Sequence, residues 1–202
     1  WEVFVLSRPA PWHSKATIDE AKKRNPKSRY RRLWWGTWAS GKGDSFNEDD
    51  LDKCFRLDGP TLVPEPGWIY IGGLDLGISH DHSGFVVIGI NYQSQEIKTC
   101  WWQAWEPQGE DGEVDLPDVM NKCLIMSKLF NLARLFYDPH QAKLMAQMLI
   151  RKGVPMREMT FSSATNLTKM ATSLLQVIES HKLLCYDDQD GRLRRDFGKF
   201  NI

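Results

Sequence analysis

WIYIGGLDLGISHDHSGFVVIGIN, residues 68–91, is the stretch on which the fold turns. Two runs rich in β-branched, aromatic and glycine residues, WIYIGGLDLG and SGFVVIGIN, flank a short polar turn, ISHDH. Each run has the length and composition of a buried strand, and the tight turn makes them a hairpin. A third strand follows in QEIKTCWWQAWE, with Gln93 and Ser94 in the turn before it.

Working downstream, Leu116, Val119, Met120, Cys123, Leu124, Leu129 and Phe130 lie on one stripe at helical spacing, so Leu116 to Asn131 reads as an amphipathic helix. LARLFYD is a short strand ending in Asp138, and His140 to Lys152 is a helix stopped by Gly153. Pro155 to Phe161 reads as a strand, Asn166 to Lys182 as a second amphipathic helix, and Leu183 to Tyr186 as a last strand. Three antiparallel strands followed by alternating helices and strands imply an α/β fold with a mixed sheet flanked by helices. That order is similar to the ribonuclease-H-like one.

Upstream the character differs. Residues 1–66 read as a connecting segment and residues 67–202 as the folded domain. WEVFVL (residues 1–6) has the pattern of a short strand, and Ser14 to Arg24 that of a helix. Lys22, Lys23, Arg24, Lys27, Arg29, Arg31 and Arg32 form a basic run with no acid between residues 21 and 33. Trp34, Trp35 and Trp38 cluster behind it and are expected in the core, and Phe46 opens an acidic helical segment. Asp58 to Pro66 holds three of the ten prolines, which marks a linker.

Composition excludes several classes. The chain has 202 residues, a formal net charge of zero and 42% hydrophobic residues, which suits a globular domain with its own core. Nucleic-acid binding would have to rest on local basic patches. Cys54, Cys100, Cys123 and Cys185 are far apart and form no Cys-x-x-Cys pair, so buried thiols are expected, not a zinc site or a disulfide framework. No apolar run is long enough to span a membrane, and no signal peptide is expected. GTWASGK (residues 36–42) imitates a phosphate loop, but Gly43 stands where the pattern needs a Ser or Thr hydroxyl, so no ATPase activity is expected here.

Two aspartates stand out. Asp75 interrupts a strand of apolar and glycine residues, where a carboxylate is costly unless it meets a cation or hydrogen-bond donors. Asp138 ends a separate apolar strand, and ligand sites gather at strand ends in such sheets. Brought together they repel, and a divalent ion removes the repulsion. Oxygen donors suit Mg²⁺ or Mn²⁺, and two such ions can drive phosphodiester hydrolysis. Asp81, across the turn, is a candidate third carboxylate, though Asp is also an ordinary turn residue. Asp138 can equally cap the next helix. His80, His82 and His140 are read as bystanders. Lys27, Arg29 and Arg31 of the basic run, and Arg192, Arg194 and Arg195 near the end, are candidate phosphate contacts, with a solvated surface as the other reading.

These stretches resemble the large terminase subunits of tailed phages, the lambda-like and HK97-like packaging motors. RRLWWGTWASGKGDSFNEDDLDKC resembles the segment that joins their ATPase to their nuclease, and GLDLGISHDHSGFVVIG the first nuclease motif, with Asp75 and Asp81. WWQAWEP resembles the third strand, LFYDPHQA the second acidic motif at Asp138, and RLRRDFGKFNI a late stretch of the domain. The resemblance covers nearly the whole chain and rests on motif order more than on any one motif. It implies a nuclease that binds two Mg²⁺ or Mn²⁺ ions on Asp75, Asp138 and Asp81 and cuts concatemeric double-stranded DNA in the host-cell cytoplasm. It also implies an N-terminal ATPase domain in the same polypeptide, and a portal protein and small terminase subunit as partners. The family's third acidic motif has no match, and its ligand is expected beyond Ile202; Asp187, Asp188, Asp190 and Asp196 sit in a turn and a helix start. Other ribonuclease-H-like nucleases (transposase, integrase or resolvase) and a catalytically silent portal-docking module are the alternatives.

Overall fold

The computed structural model describes residues 9–25, 30, 33–35, 46, 48–77, 82–108, 112–160 and 163–198. In chain order these hold α1 (Lys15–Arg24), α2 (Glu48–Cys54), β1 (Phe55–Leu57), β2 (Ile69–Asp75), β3 (Ser83–Asn91), β4 (Glu96–Trp105) and α3 (Leu116–Phe130). Then come β5 (Arg134–Tyr137), α4 (Pro139–Arg151), β6 (Met156–Glu158), α5 (Ala164–Glu179), β7 (Leu183–Tyr186) and α6 (Arg192–Gly198). The strands form one sheet in the order β1-β7-β4-β3-β2-β5-β6.

The hairpin reading of residues 68–91 and the third strand hold: β2, β3 and β4 pair antiparallel in sequence. β5 joins β2 in parallel, and β6 joins β5 in parallel. This is the mixed, ribonuclease-H-like sheet expected. β7 crosses to the far side and runs parallel to β4, with β1 beside it. Because β2 and β4 are both antiparallel to β3, the C-terminal ends of β2, β4, β5 and β7 lie along one edge of the sheet. β1 lies within the stretch read as connecting, and its pairing brings that stretch into the sheet. Residues 58–66 are also tied down: the Thr61 N–H donates to the Cys100 carbonyl at 2.9 Å, and Lys98 Nζ meets Glu65 Oε1 at 2.7 Å over the face of Trp68.

Helix ends follow local chemistry. Asp115 caps α3 through its side chain, Pro117 sits in the first turn, and Asn131 ends the helix at φ 47° in the left-handed region. Val119, Cys123, Met126 and Phe130 are its buried stripe. They pack with Ala142, Met145, Ala146 and Leu149 of α4 against Tyr70, Leu74, Phe85, Val87 and Leu135 of the sheet. A second core joins Phe46, Leu51 and Cys54 to Leu175 and Ile178 of α5 and to Leu183 and Cys185 of β7.

The tryptophan expectation needs correction. Trp34 is half-buried and packs on His13 and Tyr30, Trp35 is 39% exposed, and neither joins a core cluster. The ring partners of Trp34 are N-terminal side chains, not the sheet. Trp38, the strand expected at residues 1–6 and GTWASGK all lie outside the described residues.

All four cysteines are buried and free. Burial, the largest cause in each case, pushes the thiols of Cys54 and Cys100 up to about 11 and those of Cys123 and Cys185 up to about 12. Almost no thiolate exists at pH 8, so native protein is expected to react with a disulfide reagent at none of them over minutes, and unfolded protein at four. Because the folded-state values lie above the unfolded ones, this stabilisation is complete below about pH 8.5 and is lost as pH rises toward 12. An alkaline unfolding titration is expected to show stability falling through that window.

Candidate metal centre

Asp75 closes β2 and Asp138 follows the last residue of β5. The parallel register ends on Leu74 opposite Tyr137, and one step further sets Asp75 beside Asp138. Adjacent strands are about 4.8 Å apart, so the two carboxylates emerge as neighbours. The buried residues Tyr70, Gly72 and Leu74 alternate along β2 with positions facing the other way, and Asp75 belongs to the latter set. It therefore stands on the face opposite the core packed by α3 and α4. Asp75 is exposed, so the burial cost expected from sequence does not arise. The residue stands out instead because a carboxylate closes a strand at an open end.

Asp138 is half-buried and is the N-cap of α4: its Oδ1 accepts from the His140 N–H at 3.0 Å. The cap fixes the Asp138 side chain at the start of α4. Gly84 on β3 pairs with Asp75, and Ala104 on β4 pairs with Gly84. A Cβ placed on Gly84 would meet nothing within 4 Å, so the surface beside Asp75 is open.

The backbone after Asp75 is held from below. Ser83 is 1% exposed, and its Oγ donates to the Gly77 carbonyl at 2.9 Å while accepting from the Gly77 N–H at 3.1 Å. At the same sheet edge Glu106 follows β4 and meets Arg192 Nη1 at 2.9 Å and His82 Nε2 at 3.7 Å. Sequence reading passed over Glu106 and Ser83. Counting the hairpin register from Asp75 through Gly84 and Ala104 would have placed Glu106 at this edge, and a serine in the apolar phase of β3 marks Ser83.

Asp81, Lys27, Arg29 and Arg31 lie outside the described residues. Arg192, Arg194 and Arg195 all have partners within the chain: Glu106, Asp52 and the Asp190 carbonyl respectively. Asp187 and Asp188 accept backbone N–H groups around the start of α6, including those of Arg194 and Arg192. His140 contributes its N–H to the cap of Asp138. Among the described residues no three His, Cys, Asp or Glu side chains converge to hold a metal. The Asp75–Asp138 pair, with hard oxygen donors on an open surface, fits a Mg²⁺- or Mn²⁺-type ion. No helix among the described residues is long and apolar enough to cross a membrane.

No protein-family model and no curated protein matches the chain. Solved structures do. The large terminase nuclease from thermophilic phage G20c with bound magnesium is 16% identical, with a TM-score of 0.55 over 76% of this chain and 78% of that one. The nuclease domain of the large terminase of Thermus phage P74-26 is 20% identical, with a TM-score of 0.52 over 70% and 72% of the two chains. The HK97 bacteriophage large terminase is 14% identical, with a TM-score of 0.56; the match covers 86% of this chain and 41% of that one. The fold of this chain is that of the phage large terminase nucleases.

Proposed function

We propose that this chain is the nuclease part of a viral DNA-packaging motor, a metal-dependent endonuclease that cuts concatemeric double-stranded DNA. The observation that carries the reading is the register: Leu74 pairs with Tyr137 in adjacent parallel strands, and Asp75 and Asp138 are the residues that follow them. A magnesium-bound nuclease of the same fold supports the choice of ion. Asp75, Asp138 and Asp81 would hold two Mg²⁺ or Mn²⁺ ions. Such ions, when bound, activate water and stabilise the leaving 3′-oxygen during phosphodiester hydrolysis.

The residues of the chain position that chemistry. The cap of Asp138 on α4 and the ladder through Leu74 keep both carboxylates at fixed height above the sheet. Gly84 and Ala104 leave room for a phosphate backbone to approach Asp75. Lys27, Arg29 and Arg31 are proposed phosphate contacts. Arg192, Arg194 and Arg195 are assigned the same role only where DNA displaces their present partners. An N-terminal ATPase domain of the same polypeptide, a portal protein and a small terminase subunit are the proposed partners, in the cytoplasm of the host cell.

Supercoiled plasmid tests the reading. With Mn²⁺ the chain should nick and then linearise it, and EDTA should stop both. Equal cutting with and without EDTA contradicts the metal-dependent mechanism, and preference for branched over linear duplex favours a resolvase-type enzyme instead.

A further inference from the structure

Ser83 occupies an apolar position. In β3 it shares its phase with Phe85 and Val87, which face the core of α3 and α4, and all three are at most 1% exposed. A hydroxyl there costs stability unless its hydrogen bonds are made, and alanine would fill the same space without that cost. Both bonds of Ser83 go to one residue, Gly77, donating to its carbonyl at 2.9 Å and accepting from its N–H at 3.1 Å. Gly77 lies two residues beyond Asp75.

The clamp fixes the strand where its ladder ends. Up to Leu74, β2 is held on both sides, by Phe85 of β3 and Tyr137 of β5. At Asp75 the pairing with β3 continues, to Gly84. Beyond it, Leu76 and Gly77 have left the sheet but remain buried. Ser83 ties Gly77 back to β3, so Asp75 sits between two anchored points instead of at a fraying end. Ser83 is itself supported: it pairs with Trp105, whose Nε1 donates to Asp118 Oδ2 at 2.7 Å at the start of α3.

We infer that Ser83 is a positioning residue for the metal centre, setting the direction of the Asp75 carboxylate through the Gly77 backbone. The inference rests on the reading of Asp75 and Asp138 as metal ligands. Groups that orient metal ligands from behind typically change metal affinity or activity about 10- to 100-fold when removed. Ser83 should behave so although no ion touches it.

The test measures Mn²⁺ affinity of the chain by calorimetry, together with thermal unfolding, for the parent, Ser83→Ala, Ser83→Thr and Val87→Ala. Val87 is a fully buried residue of β3 that pairs with Gly72, three residues before Asp75. Its truncation controls for loss of stability alone. Ser83→Ala should weaken Mn²⁺ binding about 10-fold, Ser83→Thr should restore most of the affinity by keeping the hydroxyl, and Val87→Ala should bind as the parent does despite a lower Tm. Parent-like affinity in Ser83→Ala overturns the inference alone, as does an equal loss in Val87→Ala. If the parent binds no Mn²⁺, the metal-centre reading falls and this inference with it.

Discussion

Asp75→Asn should reduce plasmid cleavage in Mn²⁺ by at least about 100-fold while leaving the fold intact. Partners that merely orient a metal ligand are worth about 10- to 100-fold, so loss of a ligand itself belongs at or above the upper end of that range. Asparagine keeps the size of the side chain and one oxygen, but it removes the charge that holds a hard divalent cation. Asp75 is exposed at the end of β2, so the substitution disturbs no core contact and Tm should move little. Asp138→Asn should lose a comparable amount of activity for the same reason, and asparagine can still cap α4. Cleavage by either variant at the parental rate would remove that carboxylate from the site. Circular dichroism and Tm alongside the kinetics separate a lost ligand from a lost fold.

The largest effect on stability is expected from Phe85→Ala. Phe85 is 1% exposed in the centre of the sheet and meets the Trp101 ring edge-on at a centroid distance of 5.3 Å. It also stands opposite Leu74, one residue before Asp75. Its ring contacts the position of Gly72 so closely that a Cβ there would come within 3.0 Å of Phe85 Cε2. Truncation leaves a cavity that this packed layer cannot close, at a cost of about 3–5 kcal/mol in unfolding free energy. That is a large fraction of the stability of an ordinary domain. Urea unfolding should show the midpoint falling with little change in m. A loss under about 1 kcal/mol would mean that the core around β2 and β3 is looser than its burial implies.

The elements that read well from sequence are those whose residues decide their own structure. SGFVVIGIN has strand propensity and burial in the same residues, and α3 has its stripe, its Asp115 cap and its terminal Asn131 within one stretch. β1 was not legible, because three residues, Phe55–Leu57, carry no periodicity and become a strand only by pairing with β7, far along the chain. α6 is similar. RLRRDFG has no apolar stripe, and the helix is held by distant partners: Arg192 by Glu106, Arg194 by Asp52, and Phe197 by the rings of Phe46 and Phe55.

The candidate site divides in the same way. Asp75 and Asp138 were visible because a lone carboxylate at the end of an apolar strand is conspicuous. Their adjacency was not, since it depends on β5 joining β2 in parallel with Leu74 opposite Tyr137. Burial was the wrong ground for choosing Asp75, as the open end of the strand leaves it exposed. Tryptophan misled in another way. A cluster of three large apolar rings suggests a core, yet Trp34 and Trp35 pack at the periphery with His13 and Tyr30 or face solvent.

The most direct measurement is anomalous diffraction from crystals of the chain soaked in Mn²⁺. The proposed centre predicts manganese peaks bonded to Asp75 and Asp138 carboxylate oxygens at about 2.0–2.3 Å, with a second ion about 4 Å from the first when the ligand set is complete. Manganese bound elsewhere, or none between these two aspartates at a concentration that supports cleavage, would contradict it.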